Sequence, residues 1–319
     1  MEIALIKSFT DKPWRSPETF QKIEDSLKEK WSVSTVSTDN EETLYHFFLK
    51  LKKKFGENIL AFNIAEYLDE ENKQGFLPAL LEEWGIPHLG SRSRVVALGL
   101  DKSETSRVLD EYCIPNPQSF VVKPGKNHLG SQAKSIGYPL IVKPVGEGGH
   151  IGIYDDSIVY DEAHLENAVK RIFDQQGQPA LVEEFITGQG MREFSVGIID
   201  GEKRLFTPIE IDYDSMEVAT NILSYEATEN DLEKIKLVQD EKTYAELCTL
   251  AEKTFLAVGA RDYSRVDIRM NHTGYYVLEI NIMPGLGPHS FLPEAAMSIH
   301  SLEYDQLIQR LVEISIERN

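Results

Sequence analysis

The sequence contains few cysteines, no long apolar run and no start that resembles a leader. Cys113 and Cys248 are its two cysteines in 319 residues, and neither belongs to a CxxC or Cys/His pattern. Isolated cysteines of this kind indicate reduced, buried thiols in a cytosolic protein. No segment approaches the ~18 consecutive apolar residues of a spanning helix, and MEIALIKSFT lacks the regions of a signal peptide. We therefore expect a soluble cytoplasmic protein without a membrane partner.

Basic residues are also scarce relative to acidic ones. The chain has 33 lysines and arginines against 52 acidic residues, which gives a formal net charge of −19. Such a surface repels phosphate backbones and anionic lipids, so we expect no general binding of nucleic acid. A polyanionic ligand would need a local positive cluster. The length exceeds the size at which one hydrophobic core usually stops growing, which predicts two or three domains.

The order of elements predicts an α/β fold, α+β in parts, with domains at 1–95, 96–188 and 189–319. In the first domain, strands and helices alternate as in a parallel sheet: strands at 3–6, 33–37 and 58–64, helices at 17–30, 42–54 and 78–84. The second has predicted strands at 120–122, 139–145, 151–154 and 180–185, with helices at 101–111 and 161–173. The third has predicted strands at 194–200, 205–211, 265–270 and 275–281, with helices at 240–258 and 302–317. The polar segment 212–238 indicates a lid or a disordered insertion.

Two alternating strands around a turn carry the strongest local pattern. A three-residue loop of His272, Thr273 and Gly274 would pair Asn271 with Tyr275. This register places Asp267 opposite Glu279 and Arg265 opposite Asn281, and leaves Val266, Ile268, Leu278 and Ile280 for the core. Opposed like charges ~4.5–5.5 Å apart at Cβ destabilise a sheet. A divalent cation held by oxygen ligands would offset that repulsion. We predict a magnesium site, and a solvated polar sheet face stays the alternative.

A glycine-rich segment follows Lys143 and contains Gly146, Gly148, Gly149 and Gly152. Its backbone N–H groups could surround phosphate oxygens, and Lys143 could supply a positive charge. The segment is neither a Walker A loop nor a GxGxxG motif. A plain glycine-rich hairpin is the alternative.

Two further segments are candidates for binding. An apolar strand runs into Glu183 and Glu184, where a chain leaving its domain could hold an adenine edge and a ribose. An acidic surface end is the alternative there. The Pro284-Gly285 turn before Ser290 could direct backbone N–H groups at a developing oxyanion. An ordinary connection between a strand and a helix is the alternative for that turn.

Taken in order, these residues resemble the ATP-grasp superfamily and, within it, the D-alanine–D-alanine ligases, over almost the whole chain. The matching motifs are IPHLGS (86–91), Asp101-Lys102, IVKP (141–144), LVEEF (181–185), Arg265-Val-Asp267, LEIN (278–281) and Pro284-Gly285 with Ser290. The resemblance implies an ATP-grasp fold of three domains. An N-terminal Rossmann-like parallel sheet would precede two α+β domains that clamp ATP.

The resemblance also implies roles for individual residues. Lys102 and Lys143 would hold the nucleotide phosphates beneath a lid that contains Gly148 and Gly149. The adenine would lie at Glu183, Glu184, Phe185 and Ile186, with the ribose at Glu193. The ligands of two magnesium ions, or alternatively manganese, would be Asp267, Glu279 and Asn281. Arg265 and the Gly285 amide would stabilise the tetrahedral intermediate, and Ser290 would lie near the substrate carboxylate.

The implied reaction passes through an acyl phosphate. One substrate carboxylate takes the γ-phosphoryl group of ATP, an amine attacks, and phosphate leaves. This chemistry relies on positioning and charge neutralisation and needs no covalent nucleophile. The sequence agrees, because it has no GxSxG motif and no catalytic Cys/His pattern.

The chain departs from the ligases at positions linked to the amino-acid substrates. The usual Gly-Gly-x-Ser-x-Glu run is replaced by residues 7–12, with Glu18 as the nearest glutamate, and the usual His-Gly pair by Asn63-Ile-Ala-Glu66-Tyr. A Gly-Ser-Ser run has become Gly148-Gly149-His150, and 212–225 lacks the usual tyrosine-rich run. We therefore expect an ATP-dependent carboxylate–amine ligase for two amino acids or similar small molecules, possible as a homodimer. The alternatives are a true D-alanine–D-alanine ligase and an inactive nucleotide-binding regulator.

Overall fold

The structure is a computed structural model that describes residues 1–9, 12–37, 39–125, 129–216, 220–229 and 232–319. It begins with a unit of alternating strands and helices. Its elements are β1 (Glu2–Lys7), α1 (Pro17–Lys28), β2 (Ser32–Ser37), α2 (Glu41–Phe55), β3 (Ile59–Phe62), β4 (Tyr67–Asp69), β5 (Gln74–Phe76) and α3 (Leu77–Glu83). A single turn of 3-10 helix, Pro13–Arg15, lies between β1 and α1.

The predicted parallel sheet is confirmed, with strand order β2-β1-β3. Ile3, Ala4, Leu5 and Ile6 of its central strand are fully buried. An unbroken apolar run of this kind is typical of a parallel strand with both faces covered. The antiparallel β4–β5 hairpin was not predicted from the sequence.

The middle of the chain starts with two helices and continues into an antiparallel sheet. The elements are α4 (Ser93–Leu100), α5 (Lys102–Glu111), β6 (Ser119–Val122), α6 (Gly130–Ile136), β7 (Leu140–Pro144), β8 (Ile158–Val159), α7 (Glu162–Gln176) and β9 (Ala180–Glu184). The strand order is β6-β9-β7-β8. The strand predicted at 151–154 is wrong, because His150 and Gly152 have positive φ values of 60° and 79°, which bend the chain into a turn.

The last part of the chain contains a five-stranded antiparallel sheet of order β12-β11-β10-β13-β14. Its elements are β10 (Arg192–Ile199), β11 (Leu205–Ile211), α8 (Tyr225–Glu229), β12 (Ile235–Leu237), α9 (Glu241–Val258), β13 (Tyr263–Asn271), β14 (Gly274–Asn281), α10 (Phe291–His300) and α11 (Tyr304–Arg318). The polar segment 212–238, predicted to be a lid or a disordered insertion, contains α8 and β12. Residues 217–219 and 230–231 of this segment lie outside the described residues.

Helices α4, α5 and α11 contribute to hydrophobic cores that they share with distant parts of the chain. Val96 of α4 and Leu109 of α5 join the core beneath the five-stranded sheet. Leu307 and Leu311 of α11 join the core around Ile3 in β1. The division of the chain at residues 95 and 188 stays a prediction, and these helices tie the three units together.

The expectation of two buried thiols is wrong for Cys113. Both cysteines are free, but Cys113 is exposed and Cys248 is half-buried in α9. Cys113 has φ of 53° in the turn that ends α5, which places it at the surface. Among the described residues, no helix has the length and apolar character needed to cross a membrane.

Candidate active site

The β13–β14 hairpin reaches the predicted pairing by an unpredicted route. Its loop has two residues, because Asn271 pairs with Gly274 and not with Tyr275. The predicted three-residue turn is therefore wrong, and the register near the tip is shifted by one residue. A β-bulge that leaves Leu278 unpaired removes the shift, so that Asp267 faces Glu279 and Arg265 faces Asn281. The bulge also makes Val277, rather than Leu278, the fully buried core residue.

The two opposed carboxylates are neutralised by neighbouring side chains. The Arg265 Nε and Nη2 atoms donate to Asp267 at 3.0 and 2.8 Å, and Ser195 Oγ donates to Asp267 Oδ1 at 2.7 Å. Asn281 Nδ2 bridges the acids, 2.9 Å from Asp267 Oδ2 and 3.2 Å from Glu279 Oε1. Lys102 Nζ lies 3.5 Å from Glu279 Oε2. The repulsion inferred from the sequence is thus offset within the protein.

The surrounding charges hold Glu279 in its ionised form. Burial raises the pKa of this carboxyl, but the positive charges of Lys102 and Lys143 outweigh burial and lower the pKa to about 2. Burial alone would lower the pKa of Arg265, but the negative charge of Asp267 outweighs burial, so the pKa is raised. Both groups are therefore charged at neutral pH.

The donor set on this sheet face fits a hard cation. Asp267, Glu279 and Asn281 offer carboxylate and amide oxygens, which are the ligands of magnesium. The Asn281 amide nitrogen donates to both carboxylates. To bind a cation held by those carboxylates, the side-chain amide would rotate so that Oδ1 takes the place of the nitrogen. Within the part of the chain that the structure describes, no cluster of three histidine, cysteine or carboxylate side chains is arranged to bind a metal. The predicted metal ligands are not such a cluster, because they comprise two carboxylates, Asp267 and Glu279, and the amide of Asn281.

The two predicted phosphate lysines meet at one small cleft. Lys102 is the first residue of α5, and its buried Nζ donates to the backbone carbonyl of Glu147. Lys143 lies on β7 and forms a buried ion pair with Glu183 of β9. The cleft is lined by both lysines, Glu279 and the residues Pro144, Glu147, Gly148, Gly149, His150, Ile151 and Ile153. The predicted lid, phosphate and metal residues are thus contiguous.

The glycine-rich loop is held from two sides through Glu147. Its carboxylate accepts hydrogen bonds from Lys73 Nζ at 2.9 Å and from Gln178 Nε2 at 2.7 Å. Gln178 in turn accepts one from the Gly146 amide at 2.7 Å. Because Lys73 precedes β5, these contacts join the loop to the first unit of the chain.

The predicted adenosine residues surround an arginine that the sequence analysis missed. Arg269 is buried, donates to Glu193 through Nε at 2.8 Å, and has its Cζ 4.8 Å from the centroid of the Phe185 ring. Arg269 also donates to the Asn221 carbonyl at 2.6 Å, and the Tyr213 hydroxyl donates to Glu193 at 2.9 Å. Arg265, Asp267 and Arg269 are every second residue along β13, so the period of a strand predicts that all three lie on the same face.

Backbone groups near the predicted adenine site are already in use. The Glu184 amide donates to the Gln118 carbonyl at 2.8 Å, and the Phe185 amide donates to the Pro139 carbonyl at 3.1 Å. The Ile186 carbonyl accepts a long bond of 3.5 Å from Arg269. Phe185 and Ile186 are both buried, so this segment offers an apolar wall.

The predicted oxyanion loop is packed against the N-terminal turn. A Cβ atom added to Gly285 would lie 2.9 Å from Ser290 Oγ and 2.9 Å from Trp14 Cβ. Ser290 directly precedes α10, and the ring of the next residue, Phe291, lies 5.6 Å from the Arg265 Cζ. The structure therefore brings the three predicted catalytic residues, Arg265, Gly285 and Ser290, into one neighbourhood. Trp14 was not singled out from the sequence, because nothing in its local pattern connects it with residue 285.

Comparisons with known proteins show the family and fold to which this chain belongs. The family model described as "D-ala D-ala ligase C-terminus" matches residues 112–313. The uncharacterized protein y4sG of Sinorhizobium fredii is 32% identical over 270 residues, covering 81% of this chain and 75% of that protein. The D-alanine–D-alanine ligase of Syntrophotalea carbinolica is 31% identical over 270 residues, covering 83% and 77%. The crystal structure of D-alanine–D-alanine ligase from Bacillus anthracis complexed with ATP has a TM-score of 0.78 at 21% identity, covering 100% of this chain and 98% of that one.

The fold and the relatives define the class of enzyme: it is an ATP-grasp ligase, which uses ATP to form a C–N bond. More narrowly, the chain belongs to the D-alanine–D-alanine ligase family, because the family model covers more than half of it and curated relatives match most of its length. The predicted ATP-grasp fold is thereby confirmed.

Proposed function

We propose that this protein joins two amino acids, or similar small molecules, through an acyl phosphate that forms in the cleft between Lys102 and Lys143. The observation that supports this function is the contiguity of that cleft with the Asp267–Glu279 pair. Phosphoryl transfer followed by acyl transfer requires protein groups that bind the phosphates, a cation and the developing oxyanion.

Each group of residues in the site has a proposed role in the reaction. Lys102 and Lys143 would neutralise the phosphates, with the adenosine against Phe185, Ile186 and Glu193. The γ-phosphoryl group would move to a substrate carboxylate oxygen, and ADP would leave. The amine nitrogen of the second substrate would then attack the carbonyl carbon, lose a proton and expel phosphate. Arg265 and the Gly285 amide would stabilise the negative charge of the tetrahedral intermediate.

Asp267, Glu279 and Asn281 would hold magnesium, which would supply further positive charge beside the transferring phosphoryl group. Manganese could serve the same donors. The Gly146–Gly152 loop, anchored by Lys73 and Gln178 through Glu147, would exclude water from the acyl phosphate. A homodimer is part of the proposal and rests on the family resemblance alone.

The substrate is proposed to differ from that of the relative named D-alanine–D-alanine ligase. Support comes from the glycine-rich loop, where His150 lines the cleft in place of a serine of the usual Gly-Ser-Ser run. A true D-alanine–D-alanine ligase is the second candidate, favoured by the names of curated relatives. An inactive regulator is disfavoured, because nucleotide binding alone does not need Arg265 beside the Gly285 loop.

The test is release of phosphate from ATP in the presence of single and paired amino acids of both configurations. We expect release with at least one combination, and loss of release in Asp267→Asn. The exposed Asp174→Asn is the matched control and should keep the wild-type rate. Release with D-alanine alone would select the second candidate. No release with any combination, or full activity in Asp267→Asn, would contradict the proposal.

A further inference from the structure

Trp14 lies between the two loops that border the proposed site of reaction. Its Cβ and Cγ atoms are 2.9 and 3.2 Å from the position that a Cβ of Gly285 would occupy. Its Cα is 3.0 Å from the corresponding position of Gly287, and its ring atom Cζ2 is 4.0 Å from that of Gly149. The residue thus spans from the oxyanion loop to the glycine-rich lid.

The base of this side chain is fixed by close packing. A real Cβ at Gly285 would lie 2.9 Å from Trp14 Cβ, too close for either to keep its place, and one at Gly287 would fit tightly, 3.0 Å from Trp14 Cα. The close packing therefore depends most on glycine at position 285. The same space is limited by Ser290 Oγ, 2.9 Å from the Gly285 position. The indole is therefore set beside the residue predicted to lie near the substrate carboxylate.

Neighbouring residues hold the turn that carries Trp14. Arg15 forms ion pairs with Glu70 and, at 3.6 Å, with Glu66. Lys12 Nζ lies 5.0 Å from the centroid of the Tyr225 ring, which belongs to α8. The turn is thus fastened to the first unit on one side and to the 212–238 segment on the other.

We propose that Trp14 forms a wall of the amino-acid site and restricts the substrate there to a small side chain. The inference rests on the proposed function. A carboxylate that receives phosphate must lie between the phosphate cleft, bordered by Gly149, and the amide of Gly285. Because Trp14 packs against Gly285 and its ring approaches Gly149, the indole occupies room that a longer substrate side chain would need. A pocket can discriminate added bulk by this means.

The first test compares wild type with Trp14→Ala and Trp14→Phe, using alanine, serine, leucine and phenylalanine of both configurations. We expect the ratio of kcat/KM for leucine to that for alanine to rise on the order of 10-fold in Trp14→Ala, and less in Trp14→Phe. The KM for ATP should stay within about twofold of wild type. Trp84→Phe, in the first unit, is the control and should leave the ratio unchanged. An unchanged ratio in an active Trp14→Ala would overturn the inference, whereas an inactive wild type would instead refute the proposed function.

The second test does not depend on turnover of a Trp14 variant. The chain has three tryptophans, so Trp31→Phe with Trp84→Phe leaves Trp14 as the sole indole. We expect its fluorescence to shift or quench when the amino acid that gives the highest wild-type rate is added together with ADP. An unchanged spectrum at a concentration that saturates turnover would place the substrate away from Trp14 and overturn the inference.

Discussion

The two halves of the candidate site are built in different ways. The half proposed to bind phosphate and metal uses Lys143 on β7 and three residues of the β13–β14 hairpin, whose positions are set by strand pairing. The half proposed to bind the amino acid uses the Trp14 turn, the Gly285–Ser290 loop and the glycine-rich loop, which meet through packing between distant segments. Pairing in a sheet fixes side chains to a repeating geometry. Loops impose no such repeating geometry on the second half.

The largest expected effect comes from the strand-built half. Glu279→Gln removes a proposed metal ligand and leaves the hairpin register untouched. We expect phosphate release to fall by more than ~100-fold, because even groups that only support metal ligands cost 10–100-fold in affinity when mutated. Initial rates and circular dichroism of the same preparations check this. The exposed Glu246→Gln on α9 serves as the control. Near-normal turnover in Glu279→Gln would remove it from the metal site.

The next effect separates binding from stability at Lys143. Lys143→Met should raise the KM for ATP by about 10-fold, equal to about 1.4 kcal/mol, and should destabilise the fold by ~3–5 kcal/mol because Glu183 is left buried and unpaired. Titration of ATP and urea unfolding measure the two quantities.

The double variant Lys143→Met with Glu183→Gln is the matched control for that experiment. It removes the uncompensated charge and should recover most of the stability without restoring the KM for ATP. Recovery of both together would show that Lys143 acts only through the fold.

A third prediction concerns the acid stability that Glu279 contributes. Its pKa is lowered from 4.5 to about 2 in the folded chain. Between these values the unfolded chain binds more protons, so the contribution is fully present above pH 4.5 and is lost as the pH falls towards 2. The difference in free energy of unfolding between wild type and Glu279→Gln should shrink across that window. A constant difference from pH 5 to pH 2 would contradict the assigned ionisation.

The smallest effect is expected at the ion pair between Lys73 in the first unit and Glu147 in the glycine-rich loop. Lys73 is partly exposed, and exposed ion pairs contribute only ~0–1 kcal/mol. Lys73→Met should leave the free energy of unfolding nearly unchanged and raise the KM for ATP by no more than about twofold. A much larger rise would mean that the loop-built half controls nucleotide binding as strongly as the strand-built half.

The sequence predicted the strand-built half better than the loop-built half, for a physical reason. Alternation along β13 and β14 identifies residues that share a face, and Asp267 was paired with Glu279 by adding an assumed three-residue loop. The turn was nevertheless wrong, because the bulge at Leu278 compensates for a shorter loop and has no sequence signature of its own. Trp14 could not be predicted, since its contact with Gly285 joins residues far apart in the chain. Arg269 was within reach of the same alternation but was not considered.

The helix that ends the described chain has a consequence for synthesis. Leu307 and Leu311 of α11 pack in the same core as Ile3 and Leu5 of β1, which are synthesised well before α11. A ribosome therefore exposes these strand residues long before their partners exist. This core is complete only when α11 has emerged, so a chain truncated before α11 should be prone to aggregation through β1.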